Sequence, residues 1–208
     1  MNRPEIHVII PDCNLPKPLI IALVKEHDDF PYEFYFIAID QYISAEGNIG
    51  EQQKWANQFR WELARHTVGE ELVIYPAFEK HLGAEGKKIA DDNRAQHKEI
   101  KDYLHLLETL WVSDENYRSI FDKLMKSLNE HIKKEEENDL PKFEQAIKPA
   151  DSALLARSFE RTKIFAPTRA HPYVPNKPPF ETVASLLTAP IDKLRDLIEK
   201  FPQEPHKQ

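Results

Sequence analysis

Apolar residues recur in alternating steps of three and four along four stretches of this chain, the period of an amphipathic helix. The first stretch runs from about Lys17 to Glu46, after Pro16 and Pro18 and before Gly47 and Gly50. The second covers about Glu51 to His81 and stops at Gly83, and the third runs from about Glu85 to Leu110. The fourth starts at Ser113, where Asp114 and Glu115 suit a helix N-terminus, and reaches about Ile147 before Pro149. Long helices joined by short connections predict an all-α fold, an antiparallel up-down-up-down four-helix bundle. Pro76 is expected to kink or break the second helix near its end.

The pattern changes after Pro149. A short helical piece, Asp151 to Lys163, precedes FAPTRAHPYVPNKPPFE, whose five prolines in 17 residues exclude a helix interior. A last amphipathic helix follows, about Glu181 to Phe201. Its apolar face of Val183, Leu186, Leu187, Ile191, Leu194 and Ile198 is expected to bury against another surface. The reading is therefore a bundle over residues 1–148 and, over 149–208, a Pro-rich strap with an extra helix. The extension packs on the bundle or contributes to a homodimer interface, and is not an independent domain.

The four stripes are not purely apolar. The first reads Ile20, Leu23, His27, Phe30, Phe34, Ile37, and the second Phe59, Leu63, His66, Glu70, Val73, Ala77. The third reads Ala90, Asn93, His97, Ile100, Leu104, Leu107, and the fourth Phe121, Leu124, Leu128, His131, Glu135. Each stripe holds one histidine, and two carry a glutamate one turn later. A carboxylate in an apolar interior loses several kcal/mol of hydration unless it is paired or bound to a cation. No Lys or Arg stands on these stripes to pair with Glu70 or Glu135. A single buried histidine, or a single His-x-x-x-Glu, reads more simply as a hydrogen-bonded core residue or a solvated helix face, and Lys133 to Glu137 alone reads as a charge run. The coincidence of four stripes points instead to a metal site. His-x-x-x-Glu spacing puts both side chains on one helix face, and mixed imidazole and carboxylate donors suit non-haem iron better than tetrahedral zinc.

Composition narrows the class. A net charge of −7 argues against a nucleic-acid partner, and no apolar run reaches membrane-spanning length. The N-terminus lacks the apolar core of a signal peptide, and the single cysteine, Cys13, makes no internal disulfide; a cytoplasmic protein is expected. Glu71 is expected to be exposed. Tyr75 stands near the site in sequence, and Tyr35 and Tyr103 are also candidates for lining the pocket, with packing the favoured reading for those two. His105 lies off the buried stripe, while His7, His81, His171 and His206 are expected in water. Trp55, Trp61 and Trp111 read as packing residues.

His27, HTVGE (His66 to Glu70), His97 and HIKKE (His131 to Glu135) together resemble the hemerythrin-like HHE cation-binding family over about residues 17 to 147. The tail around TKIFAPTRAHPYVP resembles an extension of fungal members. The resemblance implies two iron ions bridged by oxo, hydroxo or water, with manganese able to use the same donors. It implies His27, His66, His97 and His131 as terminal ligands and Glu70 and Glu135 as bridging carboxylates. Oxygen carriers of the family place a second histidine where this chain has Lys101, and space the last carboxylate five residues from its histidine rather than four. The implied function is thus binding iron and reacting with O2, peroxide or NO in stress or iron homeostasis, rather than O2 storage. Alternatives are a non-haem di-iron oxygenase or oxidase, an oxidoreductase acting on a small organic substrate, and an iron or oxygen sensor acting through its tail.

Overall fold

The computed structural model describes residues 34–174 and 180–202, leaving out the side chains of Phe34 and of residues 180–186. His27, His7, Cys13, His206 and the first half of the predicted first helix lie outside the described residues. Every regular element among the described residues is helical, in seven α-helices and two π turns. They are α1 (Phe34–Ser44), α2 (Ile49–Gly69), a first π turn (Glu70–Ile74), α3 (Tyr75–Glu108), α4 (Tyr117–Lys134), a second π turn (Glu135–Asp139), α5 (Leu140–Ala146), α6 (Pro149–Phe165) and α7 (Phe180–Asp196).

The turns follow from local chemistry. Gly47 adopts φ 91, a conformation that costs a residue with a Cβ, and Asn48 then caps α2 by accepting the Glu51 amide at 3.2 Å. Within α3 the chain reverses at Gly83 (φ 61, ψ −130), the break expected there. A Cβ on Gly86 would lie 1.9 Å from the Phe78 carbonyl oxygen, so the reversal also needs glycine at that position. α4 begins four residues later than expected, because Asp114 accepts the Asn116 amide at 2.8 Å and holds the preceding residues in turns.

α1 packs on α2, and α3 on α4. α1 turns Tyr35, Ala38, Ile39 and Tyr42 inward, displaced from the expected line through Phe34 and Ile37. Its first six residues, FYFIAI, are all apolar, so polarity marks its outer side only from Asp40 onward. Two apolar clusters form the interior. One gathers Ile39, Phe59, Leu63, Ile100, Leu104, Phe121, Leu124 and Leu128. The other gathers Ile74, Tyr75, Phe78, Ile89, Ala90, Leu140, Phe143 and Phe159. Along each of the second, third and fourth stripes the histidine lies in sequence between members of the two clusters.

α6 packs across α2 and the first π turn. α7 does not bury its expected apolar face against the bundle. Leu187, Ile191 and Leu194 are 60 to 68% exposed and Ile198 is 86% exposed, while Val183 and Leu186 lie outside the described side chains. The helix is held by its polar side instead. Asp192, 1% exposed, accepts the Arg169 amide at 3.2 Å and lies 2.9 Å from His171 Nε2, so His171 is not in free water as expected. Trp61 donates to Asp196 at 3.0 Å, and Arg169 pairs with Glu108, Asp196 and Glu199. Trp111, expected to pack, is 69% exposed. No helix among the described residues is long and apolar enough to cross a membrane.

Candidate metal centre

The two His-x-x-x-Glu motifs sit at equivalent breaks in their helices. HTVGEELVIYPAFE (66–79) and HIKKEEENDLPKFE (131–144) share His, Glu, Glu, Pro, Phe and Glu at the same six positions. In each, a proline follows the first glutamate by six residues. A proline has no amide to donate and its ring crowds the carbonyl four residues back. The helix relieves both by widening into a π turn immediately upstream: Tyr75 N–H bonds Glu70 O, and Leu140 N–H bonds Glu135 O. The expected disruption at Pro76 therefore takes the form of a bulge, and the helix continues past it.

Five of the six predicted ligands lie among the described residues and converge. Glu70, His97 and His131 each present a ligand atom, all within 4.8 Å of one another. His97 Nε2 is 3.2 Å from Glu70 Oε2 and 3.1 Å from His131 Nε2. Glu70 turns its other oxygen, Oε1, to His66 Nε2 at 3.3 Å, and so stands between His66 and the other two imidazoles. Glu135 Oε2 is 3.5 Å from His131 Nε2. None of the five is more than 8% exposed. His105 lies away from this group, against Glu108 on the surface.

The outer atoms of the imidazoles settle which nitrogen faces inward. His97 Nδ1 lies 3.2 Å from Glu71 Oε1, and His131 Nδ1 lies 3.1 Å from Gln96 Oε1. An ionised carboxylate and an amide oxygen only accept, so both Nδ1 atoms carry the proton and donate. With Nδ1 so engaged, each Nε2 is the ring atom left to meet a metal, and the two Nε2 atoms face one another at 3.1 Å beside Glu70. Electron-rich atoms so close together, buried between apolar layers, fit a metal cation at their centre. The donor set of imidazoles and carboxylates fits iron.

Charges agree. Burial raises the pKa of Glu70, but His66 and His97 overcome it and hold the carboxyl well below its usual range. Burial and the nearby Glu70 charge push Glu135 well above its usual range, so one carboxylate is ionised and its neighbour keeps a proton. Burial, then His97, lowers His131 far below an ordinary imidazole. A bound cation reverses the penalty on both carboxylates together.

Two further residues reach the centre, one of them misjudged from sequence. Glu71, expected in water, is 1% exposed and pairs with Lys101 as well as His97. Tyr75, fully buried, places its hydroxyl 2.9 Å from His97 Nε2 and 3.2 Å from Glu135 Oε1. Burial, then Glu135 and Glu70, raise its pKa well above that of a free phenol. Tyr35 contacts the His66 ring edge-on at 5.4 Å, whereas the Tyr103 hydroxyl is turned outward to Glu99. Opposite Tyr35, Phe159 of α6 meets the same His66 ring at 5.5 Å, so the C-terminal extension forms one wall of the centre. The first π turn explains the position of Tyr75. On an ideal helix five residues span about 500°, leaving Tyr75 roughly 140° away from Glu70. Inserting one residue into the turn brings Tyr75 back to the inner face.

Comparison with known proteins agrees with this arrangement. The sequence profile of the hemerythrin HHE cation binding domain matches residues 19–143. An uncharacterized hemerythrin-like protein of Schizosaccharomyces pombe is 46% identical over 181 residues, covering 87% of this chain and 86% of its own. No solved structure matches at a significant level.

Proposed function

From the premise that the chain belongs to the hemerythrin HHE cation-binding domain family, we propose that it is a non-haem di-iron protein that reacts with O2, peroxide or NO. The observation that carries this reading is the pair of inward Nε2 atoms of His97 and His131, 3.1 Å apart, flanked by Glu70. His66, His97, His131 and the undescribed His27 are the terminal ligands, and Glu70 and Glu135 the bridging carboxylates. The two oxygens of Glu70, one toward His66 and one toward His97, support a bridging role. An up-down-up-down four-helix bundle over residues 1–148, with the C-terminal extension as a strap, is the arrangement we propose for these ligands.

Bound iron supplies redox electrons and an open position for a small ligand. The chain does the rest. Glu71 and Gln96 hold His97 and His131 in the tautomer that leaves Nε2 free. The apolar clusters on either side exclude bulk water and strengthen every electrostatic contact between them. Donors packed at 3.1 to 3.5 Å among side chains this buried favour a diatomic or peroxide ligand over an organic substrate. The lone cysteine and the absence of a membrane-spanning helix among the described residues support a cytoplasmic setting.

Anaerobic reconstitution with ferrous salt, followed by iron analysis, tests the reading. About two iron ions per chain are expected for a centre with this number of donors, and mixing with O2 should develop a visible oxo-bridge absorption band. Less than about one iron per chain overturns it.

A further inference from the structure

Three polar atoms surround His97 Nε2: Tyr75 Oη at 2.9 Å, His131 Nε2 at 3.1 Å and Glu70 Oε2 at 3.2 Å. A six-coordinate ion with bonds of about 2.1 Å places neighbouring ligand atoms about 3.0 Å apart. All three separations have that length, and the hydroxyl's 3.2 Å to Glu135 Oε1 makes a fourth. Tyr75 thus occupies the spacing of a ligand, on the same footing as the histidine and the glutamate.

Its placement is imposed by the backbone. Tyr75 is the residue whose amide closes the first π turn onto Glu70, and Pro76 maintains that turn. The equivalent residue after the second π turn is Leu140, which has no donor to offer. The two halves of the repeat therefore differ in what they offer at this position. Lys101 cannot serve in its place, because an ammonium has no lone pair and this one is engaged by Glu71.

We propose that Tyr75 is a metal ligand, its phenolate oxygen binding the ion that His97 binds. The proposal rests on the iron-binding function above. On binding, the phenol O–H releases its proton to solvent and the oxygen donates a lone pair to the ion, without change of oxidation state. One ion is thereby set apart from the other, since Leu140 offers nothing on the matching side.

The test uses the full-length protein, loaded anaerobically with ferrous salt and oxidised with ferricyanide. Wild type is expected to show a visible phenolate-to-iron(III) charge-transfer band, with tyrosine ring modes enhanced in resonance Raman. Tyr75→Phe, which fills the same volume, is expected to lose band and ring modes while keeping its iron. Tyr103→Phe, altered at a hydroxyl turned outward to Glu99, is expected to retain both. Iron-loaded wild type without ring modes overturns the ligand assignment and leaves the proposed function standing, as does a Tyr75→Phe protein with an unchanged band. A wild type that takes up no iron overturns the proposed function and this assignment with it. Should Tyr75→Phe fail to fold, the wild-type Raman spectrum with ring-deuterated tyrosine decides alone.

Discussion

The Lys101 ammonium closes directly on the Glu71 carboxylate, at a depth where the side chains are 10% and 2% exposed. The same carboxylate accepts from His97 Nδ1 at 3.2 Å. A lysine on the third helix is therefore coupled to the centre through one glutamate. Burial alone would keep Glu71 protonated; Lys101 and His97 reverse that and hold its pKa below the usual value.

Lys101→Met is expected to be costly, because it leaves a buried carboxylate without its cation. Removing one member of a buried pair costs about 3–5 kcal/mol, whereas replacing both with apolar residues is often neutral. The double variant Glu71→Leu/Lys101→Met should then recover most of the stability lost by the single one. Urea denaturation of the three metal-free proteins checks this, and strictly additive effects would contradict the coupling.

Glu71→Leu should nevertheless damage the metal centre, even in the stable double variant. His97 then has no carboxylate to accept its Nδ1 proton and fix its tautomer. Loss of such an outer partner lowers metal affinity about 10- to 100-fold. Competition with a chelator of known affinity measures it. His66→Ala and Glu70→Ala should lose bound metal outright, while His105→Ala, altered at the surface, should bind as wild type does.

The depth of legibility in the sequence differs from element to element. Phe59, Leu63, Ile100, Leu104, Phe121, Leu124 and Leu128 were all placed inward by their spacing, and all are buried. His66, Glu70, His97, His131 and Glu135 lie on those same lines and meet. Glu71 was hidden because it stands about 100° from Glu70 on an ideal helix and its partner Lys101 lies off the third stripe. Tyr75 was near the site in sequence but about 140° off its face, and the signal that turns it inward is the shared proline of HTVGEELVIYP and HIKKEEENDLP, with a π turn after each motif. α7 is held to the bundle by residues that its apolar period does not show. Its leucines and isoleucines outnumber its anchors, yet Asp192 and Asp196 make the contacts that hold it. Paired charges at that position left no periodic trace.

Gly69→Ala should destabilise the protein although alanine favours helices. A Cβ there would lie 2.8 Å from Phe159 Cε2 and 3.3 Å from Lys163 Cγ. Phe159 is fully buried and has nowhere to move. Overpacking of this kind costs about 1–3 kcal/mol, more than the roughly 0.5–1 kcal/mol that alanine gains over glycine in a helix. Because Phe159 also contacts the His66 ring, metal affinity should fall together with stability. Phe159→Leu added to Gly69→Ala should restore part of both, measured by thermal melting and chelator competition.

Alkaline stability should depend on Tyr117. Burial, opposed in part by Arg60, pushes its phenol up to about 12. An unfolded tyrosine ionises near about 10, so above that pH the unfolded chain sheds a proton the folded chain keeps. Stability from this group is complete below pH 10 and lost as pH rises toward 12. Two units correspond to about 2.7 kcal/mol. Tyr117→Phe removes the group, so its denaturation midpoint should fall less than wild type between pH 9 and pH 11. Equal slopes for the two proteins would refute the assignment.

Removing the metal should lower the melting temperature by an amount set by mass action. A cation that binds only the folded chain stabilises it by RT ln(1 + [L]/Kd), about 2.7 kcal/mol at one hundred times Kd. For a chain of this size each kcal/mol moves the midpoint by about 2–4 °C, which gives roughly 5–11 °C between iron-loaded and chelator-treated protein. Acid should act in the same direction, since protons compete with the cation for His66, His97, His131 and Glu70. The difference should therefore shrink as pH falls, and the iron-free protein should show little of that dependence. Scanning calorimetry with and without iron, repeated across pH, separates ligand competition from simple acid unfolding. A difference that did not change with pH would mean that these imidazoles do not hold the metal.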